Sequence, residues 1–191
     1  MGKDLSMKKT KLALFDLDGT LFDTDEVNYA AYRDALLPYS VELDKQYFTS
    51  FCSGRRYKEF LPLLLAGTEH MEDVHDAKKA AYRHNLSKAK MNAHLFQMIR
   101  FIKPEYYCVV VTTASRQNAM DILSHFNVVP LFDDVITQED ISRPKPDAQG
   151  FLLAMRRFGI SAEDTVIFED SVIGIQAARA TGATVMIADQ F

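Results

Sequence analysis

Two aspartates stand close together in the segment Phe15-Asp16-Leu17-Asp18-Gly19-Thr20, directly after the apolar run Leu12-Ala13-Leu14-Phe15. In extended backbone, residues i and i+2 project to one side, so Asp16 and Asp18 share a face while Leu17 points away. Gly19 then permits a tight turn. Two carboxylates held together at a strand end repel each other, and a hard cation between them removes that repulsion. Oxygen ligands beside a phosphate suit magnesium.

Three further segments carry chemistry of a matching kind. The apolar run Cys108-Val109-Val110-Val111 ends in Thr112-Thr113, hydroxyls able to hold a phosphate oxygen. Lys145 stands between Pro144 and Pro146, whose rings restrict the backbone and limit where the ammonium can point. The run Val166-Ile167-Phe168 ends in Glu169-Asp170-Ser171, acidic groups suited to share a metal with Asp16. Singly, each has an ordinary explanation: a strand threonine, a solvated lysine, an acidic helix start. Their coincidence is more informative. Thr112 and Asp170, like Asp16, follow buried runs, and in a parallel sheet such ends lie along one edge, with Lys145 placed beside them.

The elements that must position these groups are legible as short, continuous apolar runs at residues 12–15, 108–111, 135–136, 166–168 and 185–188. Runs of this kind without alternation suit strands buried on both faces, as in a parallel sheet covered by helices. Helices are predicted over 115–126, with Ser115 as N-cap, over 148–158, closed by Gly159, and over 173–180, closed by Gly182. This alternation predicts an α/β fold with a doubly wound parallel sheet. Residues 25–91 contain no strand-like run and predict helices over 26–37, 44–51, 55–65 and 69–90. The expected organisation is a discontinuous core, residues 9–24 and 92–191, with residues 25–91 inserted as a helical cap over the sheet edge where ligands bind.

Composition narrows the function classes. The chain has 191 residues, 48% of them hydrophobic, and a net charge of -4, enough for a real core without disulfides. Mild acidity disfavours binding to nucleic acid, which needs a basic face, and no apolar run reaches membrane-spanning length. Cys52 and Cys108 read as reduced thiols, which predicts an intracellular, cytoplasmic protein, and the scattered histidines show no zinc-ligand spacing. No apolar segment in the first nine residues suggests a signal peptide, while MGKDLS matches the myristoylation pattern only loosely.

In order and spacing these segments resemble the four motifs of the haloacid dehalogenase-like superfamily: DLDGT, the run ending at Thr112, Lys145, and FEDSVIGIQAARATGA. The resemblance runs nearly end to end through the core. The insert resembles the helical cap of the branch with phosphoglycolate phosphatase-like and β-phosphoglucomutase-like members, on a Rossmann-like core. It implies Asp16 as nucleophile and Asp18 as general acid and base. It implies Mg2+ held by Asp16, the Asp18 backbone carbonyl and Asp170, with Glu169 acting through water. Thr112, Thr113 and Lys145 would bind phosphate. Asp18 argues against a dehalogenase, because breaking a carbon–halogen bond needs no acid for the leaving group. Two positions depart from the family pattern: Pro144 stands where Gly is frequent, and KPDAQG lacks a common second Pro.

The implied reaction is hydrolysis of a small phosphorylated metabolite, a sugar phosphate or similar, through an aspartyl phosphate. Hexose phosphomutase is the alternative. The resembling mutases, and many related phosphatases, carry a His in the first cap helix where this chain has Asn28, which cannot shuttle a proton in the same way. A non-catalytic binding module on the same fold is a third reading, opposed by the filled catalytic positions. In Ser53-Gly54-Arg55-Arg56-Tyr57-Lys58, Gly54, Arg55, Arg56 and Lys58 form either a specificity loop for an anionic substrate or the solvated start of a helix. Asp23 and Asp25 either shape a flap or are ordinary loop carboxylates. Tyr29, Tyr32, Phe48 and Phe60 are expected to form the insert's own core. A final element found in many relatives is absent after the last predicted strand, so the sheet edge is expected to be open or paired, giving a monomer or weak homodimer.

Overall fold

A computed structural model describes residues 8–53, 55–188 and 191. Gly54 and the MGKDLS pattern lie outside the described residues. In chain order the elements are β1 (Lys11–Phe15), β2 (Phe22–Asp23), α1 (Asp25–Leu36), α2 (Lys45–Tyr47) running into a π-helical turn (Phe48–Cys52), α3 (Tyr57–Leu64), α4 (Met71–His84), β3 (Lys90–Met91), α5 (Ala93–Ile102), β4 (Tyr106–Val111), α6 (Arg116–His125), β5 (Asp134–Ile136), α7 (Gln149–Phe158), β6 (Thr165–Glu169), α8 (Val172–Arg179) and β7 (Thr184–Ile187).

Five strands form one parallel sheet in the order β5-β4-β1-β6-β7. β1 is central, with β4 on one side and β6 on the other, so the direction of winding reverses beside it, where doubly wound sheets bind ligands. Alternate residues of β1 face opposite layers. Ala13 and Phe15 join an apolar cluster with Phe96 and Ile99 of α5 and Ala119, Ile122 and Leu123 of α6. Leu12 and Leu14 join a second cluster with Phe151 and Ala154 of α7 and Ala177 of α8. Both faces being covered explains the unbroken apolar runs of β1, β4 and β6, whereas the run of β7, expected to be buried on both faces, lies at the sheet edge with Met186 and Ile187 exposed. Burial of each large side chain contributes roughly 1.5–3 kcal/mol.

The helices between residues 25 and 84 enclose a third cluster, built from Tyr32, Leu36, Phe48, Phe60, Leu61 and Val74. Tyr29, Tyr32, Phe48 and Phe60 pack ring against ring within it, as expected. α1 has two buried faces. Val27 and Ala31 join the core cluster, whereas Tyr32, Ala35 and Leu36 join the insert cluster.

Three local expectations are corrected. The helix predicted over 69–90 stops at His84, because the Asn85 amide donates back to Ala81 O at 3.0 Å and to Asp34 Oδ2 at 3.1 Å. Lys90–Met91 then pairs antiparallel with Phe22–Asp23, a ribbon too short to leave a periodic signal. α5 was not among the predicted helices. Among the described residues, no helix is long and apolar enough to cross a membrane.

Candidate active site

The site lies at the carboxyl edge of the sheet. Phe15 is in register with Val110 of β4 and Phe168 of β6, so the residues that follow these strands are brought to one level. The Asp16 N–H donates to Phe168 O at 3.0 Å, and the Thr112 N–H to Ile136 O at 2.9 Å. Beyond Asp16 the chain turns sharply. The Gly19 N–H donates to Phe22 O at 2.8 Å with Gly19 at φ 87, and Leu17 is fully buried. A side chain at Gly19 would meet Asp170 Oδ2 at 2.1 Å, so the left-handed turn and the missing Cβ both make room for this carboxylate. Thr20 Oγ1 donates to Asp170 Oδ1 at 2.7 Å and fixes its orientation.

Carboxylate oxygens of Asp16, Glu169 and Asp170 lie within 4.8 Å of one another. Lys145 donates to both Asp16 Oδ1 and Glu169 Oε1. Three carboxylates against one ammonium leave two negative charges in excess. That excess and the all-oxygen donor set fit a divalent hard cation. Glu169 has 0% exposure and accepts from the Asp170 N–H at 2.9 Å, the Ser171 N–H at 2.9 Å and the Ser171 hydroxyl at 3.1 Å. Gly174 of α8 permits this close approach.

Burial dominates the electrostatics. It pushes Asp16 up to about 8, against the attraction of Lys145 and with added repulsion from Glu169 and Asp18. Asp170 is also raised by burial, against its hydrogen bond from Thr20. Burial pulls Lys145 down, but Asp16 and Glu169 together override it and hold the ammonium above its ordinary range. The cluster is therefore short of positive charge.

Asp16, Asp170, Glu169 and Lys145 are brought together. Glu169, expected to act through water, lies inside the same close set as Asp16 and Asp170. Thr112 is buried beside them along the edge, with its hydroxyl accepting from the Ala114 N–H at 3.0 Å, while Thr113 is exposed. The Asp18 carboxylate stands outside the set. Its Oδ1 accepts from Thr24 Oγ1, and burial raises it.

The insert contributes a contact that the sequence reading missed. Lys78 of α4 is 8% exposed and donates to Asn28 Oδ1 at 2.8 Å. Its ammonium lies over the rings of Tyr82 at 4.8 Å and Tyr32 at 5.2 Å. Burial pulls it down to about 8, with Asp18 the charge that opposes the shift. The signal was present: Val74, Lys78 and Tyr82 recur every fourth residue, which puts a lysine on a buried helical stripe. Of the loop residues, Arg55 and Arg56 are exposed. Lys58 pairs with Glu72 of α4 at 3.5 Å. Ser53 Oγ donates to Asp25 Oδ1 at 3.1 Å, which ties the loop to the start of α1, and Asp23 pairs with Lys90 at 3.3 Å.

Residues 13–188 match the family model for haloacid dehalogenase-like hydrolases. The chain is 32% identical to validoxylamine A 7'-phosphate phosphatase of Streptomyces hygroscopicus subsp. limoneus, over 90% of this chain and 82% of that protein. It is 28% identical to the phosphorylated carbohydrates phosphatase of Thermotoga maritima, over 88% of this chain and 80% of that protein. The crystal structure of CbbY from Rhodobacter sphaeroides in complex with phosphate superposes with a TM-score of 0.83 at 22% identity, covering 95% of this chain and 87% of that one.

Proposed function

This chain belongs to the haloacid dehalogenase-like hydrolases, and on that premise we propose that it hydrolyses a small phosphomonoester, a sugar phosphate or similar metabolite. The observation that carries the reading is the convergence of Asp16, Glu169 and Asp170 around a shortage of positive charge, with Lys145 between two of them. In this reading an Asp16 oxygen attacks phosphorus and forms an aspartyl phosphate. Asp18 protonates the departing ester oxygen, then takes a proton from the water that cleaves the aspartyl phosphate. Burial supports the first role, because it raises Asp18 toward the range in which a carboxylic acid keeps a proton to give. Thr112 and Thr113 hold phosphate oxygens, and Lys145 offsets charge on the nucleophile and the phosphoryl group.

The carboxylates Asp16 and Asp170, with the Asp18 backbone carbonyl, would hold Mg2+, and Glu169 would support it. When bound, the ion supplies positive charge to the phosphoryl oxygens. The core comprises residues 9–24 and 92–191, and the insert, residues 25–91, is a cap that selects the substrate. The two phosphatases named above support a phosphorylated carbohydrate as the substrate class. Asn28 supports hydrolysis over phosphate return to a sugar, because an amide cannot pass a proton. The test is phosphate release from a panel of sugar phosphates with and without a chelator. Turnover that depends on Mg2+ and is lost in Asp16→Asn supports the reading; turnover that persists in Asp16→Asn overturns it.

A further inference from the structure

Lys145 stands on a loop that departs from the family pattern at Pro144 and at the missing second Pro of KPDAQG. Its ammonium is nevertheless aimed into the gap between Asp16 and Glu169, across the face of the Phe151 ring at 5.1 Å. A long, flexible side chain keeps one aim only where the backbone beneath it is fixed, because ordering it costs rotamer entropy. We propose that Gln149, in the first turn of α7, is a positioning residue for Lys145: its side-chain amide gathers the start of the loop onto the helix and sets the backbone from which the ammonium reaches the two carboxylates. This rests on the reading of Lys145 as the charge that faces the phosphoryl group.

Both ends of the loop meet at this residue. Gln149 Oε1 accepts from the Arg143 N–H at 2.7 Å, the Ser142 N–H at 3.1 Å and the Ser142 hydroxyl at 3.3 Å. One oxygen thus takes two successive backbone donors from a segment that lies in neither strand nor helix. On the other side of the lysine, Asp147 Oδ1 accepts from the Gln149 N–H at 2.8 Å, and the Asp147 N–H donates to Pro144 O at 3.0 Å. Asp147 Oδ2 accepts from Arg143 Nε at 2.7 Å, an ion pair that faces solvent and is screened there. Lys145 therefore stands within a closed loop, residues 142–149. The anchor is itself fixed. A Cβ at Gly150 would lie 3.0 Å from Val111 Cγ1, so the first turn of α7 rests directly on β4, and Phe151 beside it is buried.

The test separates positioning from general damage by rescue and by coupling. Gln149→Met keeps the length of the side chain and removes the acceptor, whereas Gln149→Glu keeps an acceptor for the same donors. The readouts are kcat/KM for the best sugar phosphate of the panel and for p-nitrophenyl phosphate, with Mg2+ present, and the Kd of inorganic phosphate by calorimetry. Gln149→Met is expected to lower kcat/KM about tenfold to a hundredfold on both substrates alike, since Lys145 faces the phosphoryl group they share, and to weaken phosphate binding. Gln149→Glu should recover most of that loss. In a Lys145→Met background, Gln149→Met should add no further loss, because a residue that acts through Lys145 has nothing left to position. If Gln149→Met melts below the assay temperature, Asp147→Ala, at the other end of the loop, carries the same expectations at about threefold to tenfold. Wild-type turnover in the variant assayed, a Gln149→Glu enzyme as impaired as Gln149→Met, or additive losses in the Lys145→Met background would overturn the proposal. Lys145→Met distinguishes the two levels of failure. If it loses turnover and Gln149→Met does not, the role of Gln149 is refuted alone; if Lys145→Met keeps its turnover, the reading of Lys145 falls and this inference with it.

Discussion

Lys145 holds two buried carboxylates at once, Asp16 and Glu169, and is itself shielded from water. Removing one member of a buried ionic cluster leaves the others uncompensated and typically costs about 3–5 kcal/mol. Lys145→Met should therefore lower stability by about that amount in chelator, and added Mg2+ should recover part of it, as thermal melts with and without the ion will check. Turnover should fall at least about a hundredfold, because the charge that faces the phosphoryl group is gone. Melts of Lys145→Met that match the wild type would show that the ammonium carries no structural charge compensation. The opposite behaviour is expected of Asp16→Asn, which removes a carboxylate from a cluster with too many. In chelator at pH 8 it should melt above the wild type while losing at least about a thousandfold in kcat.

At the scale of elements, the site depends on how closely helix α8 and the turn after β1 approach the carboxylates. A Cβ at Gly174 would lie 1.8 Å from Glu169 Oε1. Glu169 is fully enclosed and anchored by Lys145, Ser171 and two backbone N–H groups, so it has nowhere to withdraw. Gly174→Ala should cost about 1–3 kcal/mol and reduce turnover beyond the loss of folded protein. Gly67→Ala, where a Cβ meets nothing within 4 Å, is the matched control and should leave both unchanged. The same elements show how far the sequence could be read. β1, β4 and β6 were legible because burial on both faces leaves unbroken apolar runs, and parallel pairing then placed their polar ends on one edge. The β2–β3 ribbon was not, because two-residue strands carry no period, and the break after His84 is set by the bond from Asn85 to Asp34, a contact between distant helices. Lys145 reaching Glu169 as well as Asp16 was equally hidden, since it depends on loop geometry. Lys78, by contrast, is legible as a charge on an apolar stripe.

For the molecule as a whole, a half-buried histidine and the buried carboxylates of the site make stability depend on pH in opposite senses. His75 of α4 stacks on Tyr57 of α3, with ring centroids 3.7 Å apart, and burial pulls it down to about 4, with Lys79 and Lys78 adding to the shift. The unfolded chain then binds the extra proton first, so the stability His75 supplies is present above its unfolded value near 6.5 and is lost as pH falls toward 4. Asp16 has the reverse sign. Its folded value near 8 lies above the unfolded one, so its contribution is present at low pH and is lost as pH rises through 8. One full proton changes stability by about 1.4 kcal/mol per pH unit, and the partly exposed His75 by less. In chelator the His75 and Asp16 slopes therefore oppose each other between pH 4.5 and 6.5, Asp18 and Asp170, also raised by burial, act in the same sense as Asp16, and the opposing His75 slope is gone above that. The melting temperature should vary little over the lower interval and fall over the upper one, by about 2–4 °C for each kcal/mol in a chain of this length. His75→Phe should extend the fall into the lower interval, and Asp16→Asn should make it shallower in the upper. Mg2+ should also flatten the upper interval, because a cation beside Asp16 favours its ionised form. A melting temperature that rises from pH 6.5 to 8 in chelator, or that responds to neither substitution, would mean that the charge shortage at the sheet edge does not govern the stability of the metal-free fold.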